Sequence, residues 1–339
     1  MKKGILLLNL GSPDSPSVPD VRRYLAEFLM DPFVIDIPWL FRFLVIYGLV
    51  LPKRPQETAK GYSQVWTAEG SPLLVYSRAL KAAMDPVVSD ATTELYLAMR
   101  YGNPSIPDVL REMREDGVTD VVVVPLYPHY AMSSTGTAVR ACETALKTLQ
   151  WAPSMRVVPP FYKHPRYIAA LTARISDSLS AKTWDHLLFS YHGLPERHLK
   201  KTDPTGAHCM RQPGCCHRPS VAHETCYRHQ VFETTRLVAA AMGLQSDQYS
   251  VSFQSRLGRD KWLEPFTDPH VAGLYESGVR HLAVVCPAFV ADCLETIEEI
   301  GEVTREKFLH MGGESFTLVP CLNVDPEWVT ALADIIATR

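Results

Sequence analysis

The chain has 339 residues, of which 46% are hydrophobic and 21% charged, enough apolar material for one large core or two medium ones; a prior of about 150 residues per domain favours two. Its 34 basic and 37 acidic side chains leave a net charge of -3 and form no basic block that could follow a phosphate backbone, so no nucleic-acid partner is expected. The longest apolar stretch, residues 39–51, contains Arg42 and falls short of the roughly 20 residues a bilayer crossing needs. Met1-Lys2-Lys3 leads straight into a short apolar run with neither a signal h-region nor a small-residue cleavage site, so the expected compartment is the cytoplasm.

Short apolar runs alternate with amphipathic segments, which predicts an α/β fold of parallel sheets covered by helices. A first strand over residues 4–10 ends in Asn9-Leu10-Gly11-Ser12-Pro13-Asp14. Residues 28–52 then form a dense apolar segment containing Phe33, Trp39, Phe41, Phe43 and Tyr47, with Lys53 and Arg54 beside it. This segment fits an internal helix, or a lip that receives a hydrophobic substrate and rests on a membrane surface. Strands over 94–99 and 119–125 flank a helix over 107–115; they end in Arg100-Tyr101-Gly102 and Leu126-Tyr127-Pro128-His129. A strand over 155–159 and a helix over 164–179 precede a strand over 186–191, which runs into Tyr191-His192-Gly193-Leu194-Pro195-Glu196. The remainder reads as a helix over 224–242, strands over 249–253, 281–286 and 316–319, and helices over 292–310 and 325–338.

The two halves echo each other. Asn9-Leu10-Gly11-Ser12-Pro13-Asp14 lines up with Tyr191-His192-Gly193-Leu194-Pro195-Glu196, and Arg100-Tyr101-Gly102 with Arg256-Leu257-Gly258; the apolar strands ending at Pro125 and Pro287 correspond likewise. These echoes predict two similarly wound lobes. The expected first lobe is 1–155 plus roughly 321–339 and includes the lip; the second is 156–320 and includes a cysteine-rich segment over 201–230. Neither lobe carries a G-x-G-x-x-G or a G-x-x-x-x-G-K-[ST] sequence, which removes dinucleotide and P-loop chemistry. In such sheets ligands sit at the carboxyl ends of strands where strand order reverses, so the junction residues are the candidates.

His192, ending a buried strand and followed by Gly and Pro, is placed to act as a base, a proton shuttle or a metal ligand, or to be a core histidine bonded to backbone. Asp292 and Glu295 have capping-box spacing. Glu295 and Glu299 are four apart on one helix face, with Glu298 and Glu302 beside them, which suits either a cation or proton relay or a solvated acidic surface. The loop after Tyr127, with Trp262 and Arg100-Tyr101, offers stacking surface and a carboxylate partner for a flat, partly apolar ligand.

Taken together, Leu8-Asn9-Leu10-Gly11-Ser12-Pro13-Asp14, Leu126-Tyr127-Pro128, Ser190-Tyr191-His192-Gly193-Leu194-Pro195, Phe253-Gln254-Ser255-Arg256, Trp262-Leu263 and Asp292-Cys293-Leu294-Glu295-Thr296 resemble the ferrochelatase family over nearly the whole chain. The resemblance implies two Rossmann-like lobes and insertion of ferrous iron into protoporphyrin IX to give protohaem with release of two protons. It implies that His192 and Glu295 are catalytic and meet the iron from opposite faces of the macrocycle. It further implies that Leu10, Arg100, Tyr101, Tyr127 and Trp262 bind porphyrin, and that Asp292 and Glu299 lie on a proton or metal path. The next position of that path is Val303, so Glu302 stands in for it, and Cys293 occupies a place where some members have histidine. Rival readings are a chelatase for coproporphyrin III or another metal, and a non-catalytic tetrapyrrole or metal binding protein. Peripheral contact with the inner face of the membrane through the lip is a further expectation.

Four of the 8 cysteines, Cys209, Cys215, Cys216 and Cys226, crowd into one segment with His208, His217, His223 and His229 interleaved. Four thiolates suit a 2Fe-2S cluster or a zinc ion. The absence of a C-x2-C pair, and the occurrence of such clusters in some ferrochelatases, favour the cluster.

Overall fold

The computed structural model describes residues 2–256, 258 and 260–338. Two parallel sheets of four strands each organise the chain. In the first, β1 (Lys2–Ser12), β2 (Thr93–Gly102), β3 (Val118–Pro125) and β4 (Ser154–Val157) lie in the order β2-β1-β3-β4. In the second, β5 (His186–His192), β6 (Tyr249–Gln254), β7 (His281–Val285) and β8 (Ser315–Leu318) repeat that winding as β6-β5-β7-β8. The fold is therefore α/β with two Rossmann-like sheets, as the internal echoes predict; Leu257 of the second echo lies outside the described residues.

The strands read as continuous apolar runs because helices cover both faces of each sheet. Leu6, Leu7 and Leu8 of β1, Val121, Val122, Val123 and Val124 of β3, and Leu187, Leu188 and Phe189 of β5 all have 0% exposure. Side chains and prolines start the helices. Ser17 accepts the Asp20 N–H (3.4 Å) at the head of Val18–Leu29, and Ser105 accepts the Asp108 N–H (3.3 Å) at the head of Ile106–Glu115. Helix Tyr227–Met242 stops at Gly243, whose φ of 69° is a left-handed cap.

The chain divides into two compact units: Met1–Tyr127, Met132–Pro159 and Leu332–Arg339 form one, and Pro128–Ala131 with Pro160–Ala331 the other. In the first unit Arg156 Nη2 donates to the Ile336 carbonyl (2.7 Å). In the second, Trp328, with 0% exposure, packs beside Phe161 and Tyr167.

The apolar segment is a helix, Trp39–Val45, continued by a π-helical turn, Ile46–Val50, but it is not internal. Trp39, Phe41 and Leu49 are 62%, 63% and 71% exposed. Its one charge turns inward: Arg42, 6% exposed, donates through Nη1 to the carbonyls of Ile35 (3.1 Å) and Ile37 (3.0 Å). Among the described residues no helix is long and apolar enough to cross a membrane.

In each sheet the chain leaves its first strand to one side and returns across it to the other. Strand order thus reverses between β1 and β3 and again between β5 and β7, and the crevices at the carboxyl ends there are the fold's binding positions. Leu10 and Tyr127 stand at the first reversal; His192 and the segment beginning at Asp292 stand at the second.

Candidate active site

In the second unit, β5 hands His192 directly to its loop. Nδ1 lies 2.7 Å from the Gly193 carbonyl, which fixes that nitrogen as the N–H and leaves Nε2 as a lone-pair site without a protein partner among the described residues. Gly193 is required here: a Cβ would lie 2.8 Å from the Gln254 carbonyl and 3.2 Å from the Trp262 ring. Its N–H bonds that same carbonyl at 2.7 Å. Trp262 thus packs on the turn that carries the histidine. The Phe289 ring stands 6.4 Å from the imidazole, and Tyr227 OH bonds the His192 carbonyl at 2.9 Å.

The segment after β7 differs from the sequence expectation. Instead of one α-helix over 292–310, it forms a π-helix, Glu295–Thr304, followed by an α-helix, Arg305–His310. A π-helix sacrifices backbone geometry and concentrates at functional sites. Here Gln254 holds its first residue: Nε2 donates to the Glu295 carbonyl (2.8 Å) while Oε1 accepts from Ser190 (2.8 Å). Glu299 is gripped by Ser255, whose N–H bonds Oε1 at 2.9 Å and whose hydroxyl bonds Oε2. Ser255 adopts a φ of 60°, a region that favours glycine and that a serine keeps only when its surroundings hold it. Ser255 and Gln254 lie in the quoted motif, but nothing in the sequence assigns them these anchoring roles.

Burial pushes the Glu299 carboxyl above the usual glutamate range; the Ser255 hydrogen bond and the field of His192 oppose this, and Glu295 reinforces it. The imidazole and both carboxyls therefore share one electrostatic neighbourhood. A carboxyl raised on folding keeps its proton where the unfolded chain has lost it. Stability accordingly falls as pH rises from the ordinary value of 4.5 through the folded-state value, and the full penalty stands above that. E299Q cannot ionise, so its thermal midpoint relative to wild type is expected to climb across this window and to flatten above it. Melting curves at a series of pH values check this; an offset independent of pH would contradict it.

Asp292 is also placed differently from expectation. No capping box forms. Its Oδ1 accepts from the Thr296 hydroxyl (3.1 Å) and the Cys321 N–H (3.2 Å), its Oδ2 from Asn323 Nδ2 (2.7 Å), and its own N–H donates to Asn323 Oδ1 (2.9 Å). Only 7% exposed, Asp292 clamps the entry to the π-helix, and both of its oxygens are engaged.

In the first unit, Leu10 is half-buried at the end of β1, its N–H bonded to Asn9 Oδ1 (2.9 Å). Gly11 beside it has a φ of 100°, and a Cβ there would fall 1.8 Å from the Tyr101 carbonyl. Arg100 is held by Thr137 (Nε to Oγ1, 2.7 Å) and by Asp31 through Nη2. Asp31 also accepts the hydroxyl protons of Tyr101 (2.8 Å) and Thr137 (2.5 Å) and the Phe33 N–H (2.7 Å). Tyr101, expected to face a ligand, has 0% exposure, its ring closed in by Phe28 at 5.1 Å and Tyr24 at 6.5 Å. It supports Arg100 and Asp31 from behind. Tyr127 is half-buried with its hydroxyl enclosed and unpartnered, and burial pushes that hydroxyl's pKa up. Asp31 is a further residue whose role the sequence does not reveal; its signal is no more than that of one of two acids, with Asp36, inside an apolar run.

The cysteine-rich segment lies in the second unit. Cys209, Cys215, Cys216 and Cys226 are 1%, 2%, 4% and 2% exposed. The Cys216 thiol contacts those of Cys226 and Cys215, and the Cys226 thiol contacts Cys209; Cys226 is pushed up to about 12, first by its Cys209 neighbour. Asp203 staples the loop by accepting the His208 and Cys209 N–H groups, both at 2.8 Å. Three imidazoles hold its carbonyls: His208 and His223 bond that of Cys215 (2.8 and 3.1 Å), and His229 that of Cys216 (2.7 Å). Among the described residues, no three His, Cys, Asp or Glu side chains gather so as to hold one metal ion.

The doubled sheet winding, with ligand positions at each strand-order reversal, defines a two-lobed, doubly wound α/β protein. Its fold matches SirB from Bacillus subtilis with Fe3+ at a TM-score of 0.56 and 11% identity, covering 99% of this chain and 94% of that one. The sirohydrochlorin chelatase SirB from Bacillus subtilis subspecies spizizenii in complex with cobalt gives the same figures, 0.56, 11%, 99% and 94%. The ferrochelatase family profile matches residues 2–339. A ferrochelatase from Pseudomonas putida is 50% identical over 98% of this chain and 97% of its own length. Those from Stutzerimonas stutzeri (48% identical, 98% and 97% covered) and Opitutus terrae (48%, 99% and 97%) are similar throughout. The chain belongs to the ferrochelatase family, the metal chelatases of the lyase class.

Proposed function

We propose that the protein inserts ferrous iron into protoporphyrin IX, forming protohaem and releasing two protons, in haem biosynthesis. Full-length identity near 50% to curated ferrochelatases supports the overall reaction, and the observation that carries the mechanism is the grouping of His192, Glu295 and Glu299. Metal entry requires two pyrrole N–H groups to lose protons, so the site needs a base near neutrality and an exit for charge. His192 offers Nε2 as that base. Glu295 is the second catalytic group and, with His192, handles the incoming iron; Glu299 relays protons or iron from it. Asp292 serves this path by fixing where the π-helix starts.

Leu10, Tyr127 and Trp262 supply apolar contact for the macrocycle, and Arg100, backed by Tyr101, supplies charge for its carboxylates. The exposed aromatic helix Trp39–Val45 suits an apolar porphyrin and peripheral contact with a membrane's inner face, in a protein of the cytoplasm. The assay is anaerobic mixing with protoporphyrin and ferrous iron, followed by loss of porphyrin fluorescence. Catalytic metallation is expected; tight binding without turnover would overturn the reading in favour of a carrier.

The four buried thiols fit a 2Fe-2S cluster. Such a cluster takes four cysteines, and the four thiols here neighbour one another in the order Cys215, Cys216, Cys226, Cys209; zinc needs its ligands gathered about one point, which no three such side chains among the described residues are. Bound there, it would supply a one-electron couple and cross-link the loop. Purified protein is expected to hold iron and acid-labile sulfide in equal amounts, both lost in C209S, C215S, C216S and C226S. Zinc without sulfide would overturn the assignment.

A further inference from the structure

We infer that Arg228 raises the reduction potential of the cluster by donating to the sulfur of Cys216, an inference that rests on reading the four thiols as cluster ligands. Arg228 Nη1 lies 3.6 Å from Cys216 Sγ. The guanidinium is also held over an aromatic ring, its central carbon 4.9 Å from the centre of Phe232. Phe232 sits on the same helix, Tyr227–Met242, which begins directly after Cys226. That ring in turn stacks parallel to the imidazole of His217, 6.3 Å away and tilted by 1°. The Cys216 carbonyl is tied to His229 at 2.7 Å, so the loop presents its sulfur, not its backbone, to the guanidinium. No carboxylate among the described residues forms an ion pair with Arg228, so Cys216 Sγ is its charge-assisted partner.

Reduction adds one electron to the cluster, and the extra negative charge spreads onto the thiolate sulfurs. A cationic donor on one of them stabilises the reduced state more than the oxidised state, and hydrogen bonds to sulfur and net charge are the protein's main controls on such potentials. The three imidazoles act differently, because they bond carbonyl oxygens.

The experiment uses the full chain, purified anaerobically, as wild type, R228M and R228K. Iron and acid-labile sulfide are assayed first. The potential is then measured by dithionite titration, followed by visible absorption and by the paramagnetic signal of the reduced cluster. The expected result is a more negative potential in R228M and an intermediate one in R228K, with cluster content and thermal midpoint as in wild type. An unchanged potential in R228M with full cluster content would overturn the inference. Should R228M emerge without its cluster, R228K and R228Q carry the test, and wild-type potentials in both would overturn it equally. Wild-type protein without iron and sulfide would instead remove the cluster reading itself, which the first assay reveals before any variant is compared.

Discussion

His192→Ala is expected to slow metallation of protoporphyrin by about 10²–10⁴-fold, the range a positioned general base contributes, while porphyrin still binds and quenches as with wild type. The imidazole sits at the end of a strand whose residues before it are buried, and its own Nδ1 is committed to the Gly193 carbonyl. Alanine therefore removes the lone pair on Nε2 and little of the packing. Glu299 is a poor substitute, because both its oxygens accept from Ser255. Fluorescence loss under anaerobic conditions measures turnover, and a porphyrin titration without iron measures binding. Wild-type turnover in the variant would move the base elsewhere; loss of binding together with turnover would make His192 a wall of the pocket instead. H192N, which can place an amide near the same carbonyl but offers no comparable base, is expected to be as slow as the alanine variant.

The strands, their two-fold winding and the family were legible because each depends on short-range pattern. A strand buried on both faces must be an apolar run, and the motifs ending β1 and β5 keep their order along the chain. The π-helix was not legible, since Glu295 and Glu299 at a spacing of four look α-helical, and the wider turn is stabilised by long-range partners such as Gln254 to the Glu295 carbonyl. The partners of Asp292 are hidden from the sequence for a similar reason. Its spacing to Glu295 suggests a cap, but Asn323, 31 residues away, takes its carboxylate. Tyr101 shows the limit of carrying a role by position: its neighbour Arg100 keeps 18% of its side chain exposed, while Tyr101 keeps none.

Asp31→Ala is expected to destabilise the first unit by about 3 kcal/mol or more, the scale for removing one partner of a buried, hydrogen-bonded charge pair. The carboxylate, 3% exposed, answers the Arg100 guanidinium, two hydroxyls and a backbone N–H at once. Its loss strands the Tyr101 hydroxyl in a closed space, and an unsatisfied buried group alone costs about 1–3 kcal/mol. Asp31→Asn keeps an acceptor but loses the charge, so a smaller loss is expected. Because Asp31 and Arg100 form one network, the double replacement D31A/R100A should be less destabilising than the sum of the singles. Urea denaturation of the four proteins measures this directly, and additive effects would show that the pair is incidental. The same network predicts a kinetic split in D31N: Arg100 keeps its charge and loses its fixed aim, so, on the proposed reading that Arg100 answers the substrate's carboxylates, KM for a dicarboxylate porphyrin should rise while kcat stays near wild type. A fall in kcat at unchanged KM would mean that Asp31 acts on the chemistry and not on how the substrate is held.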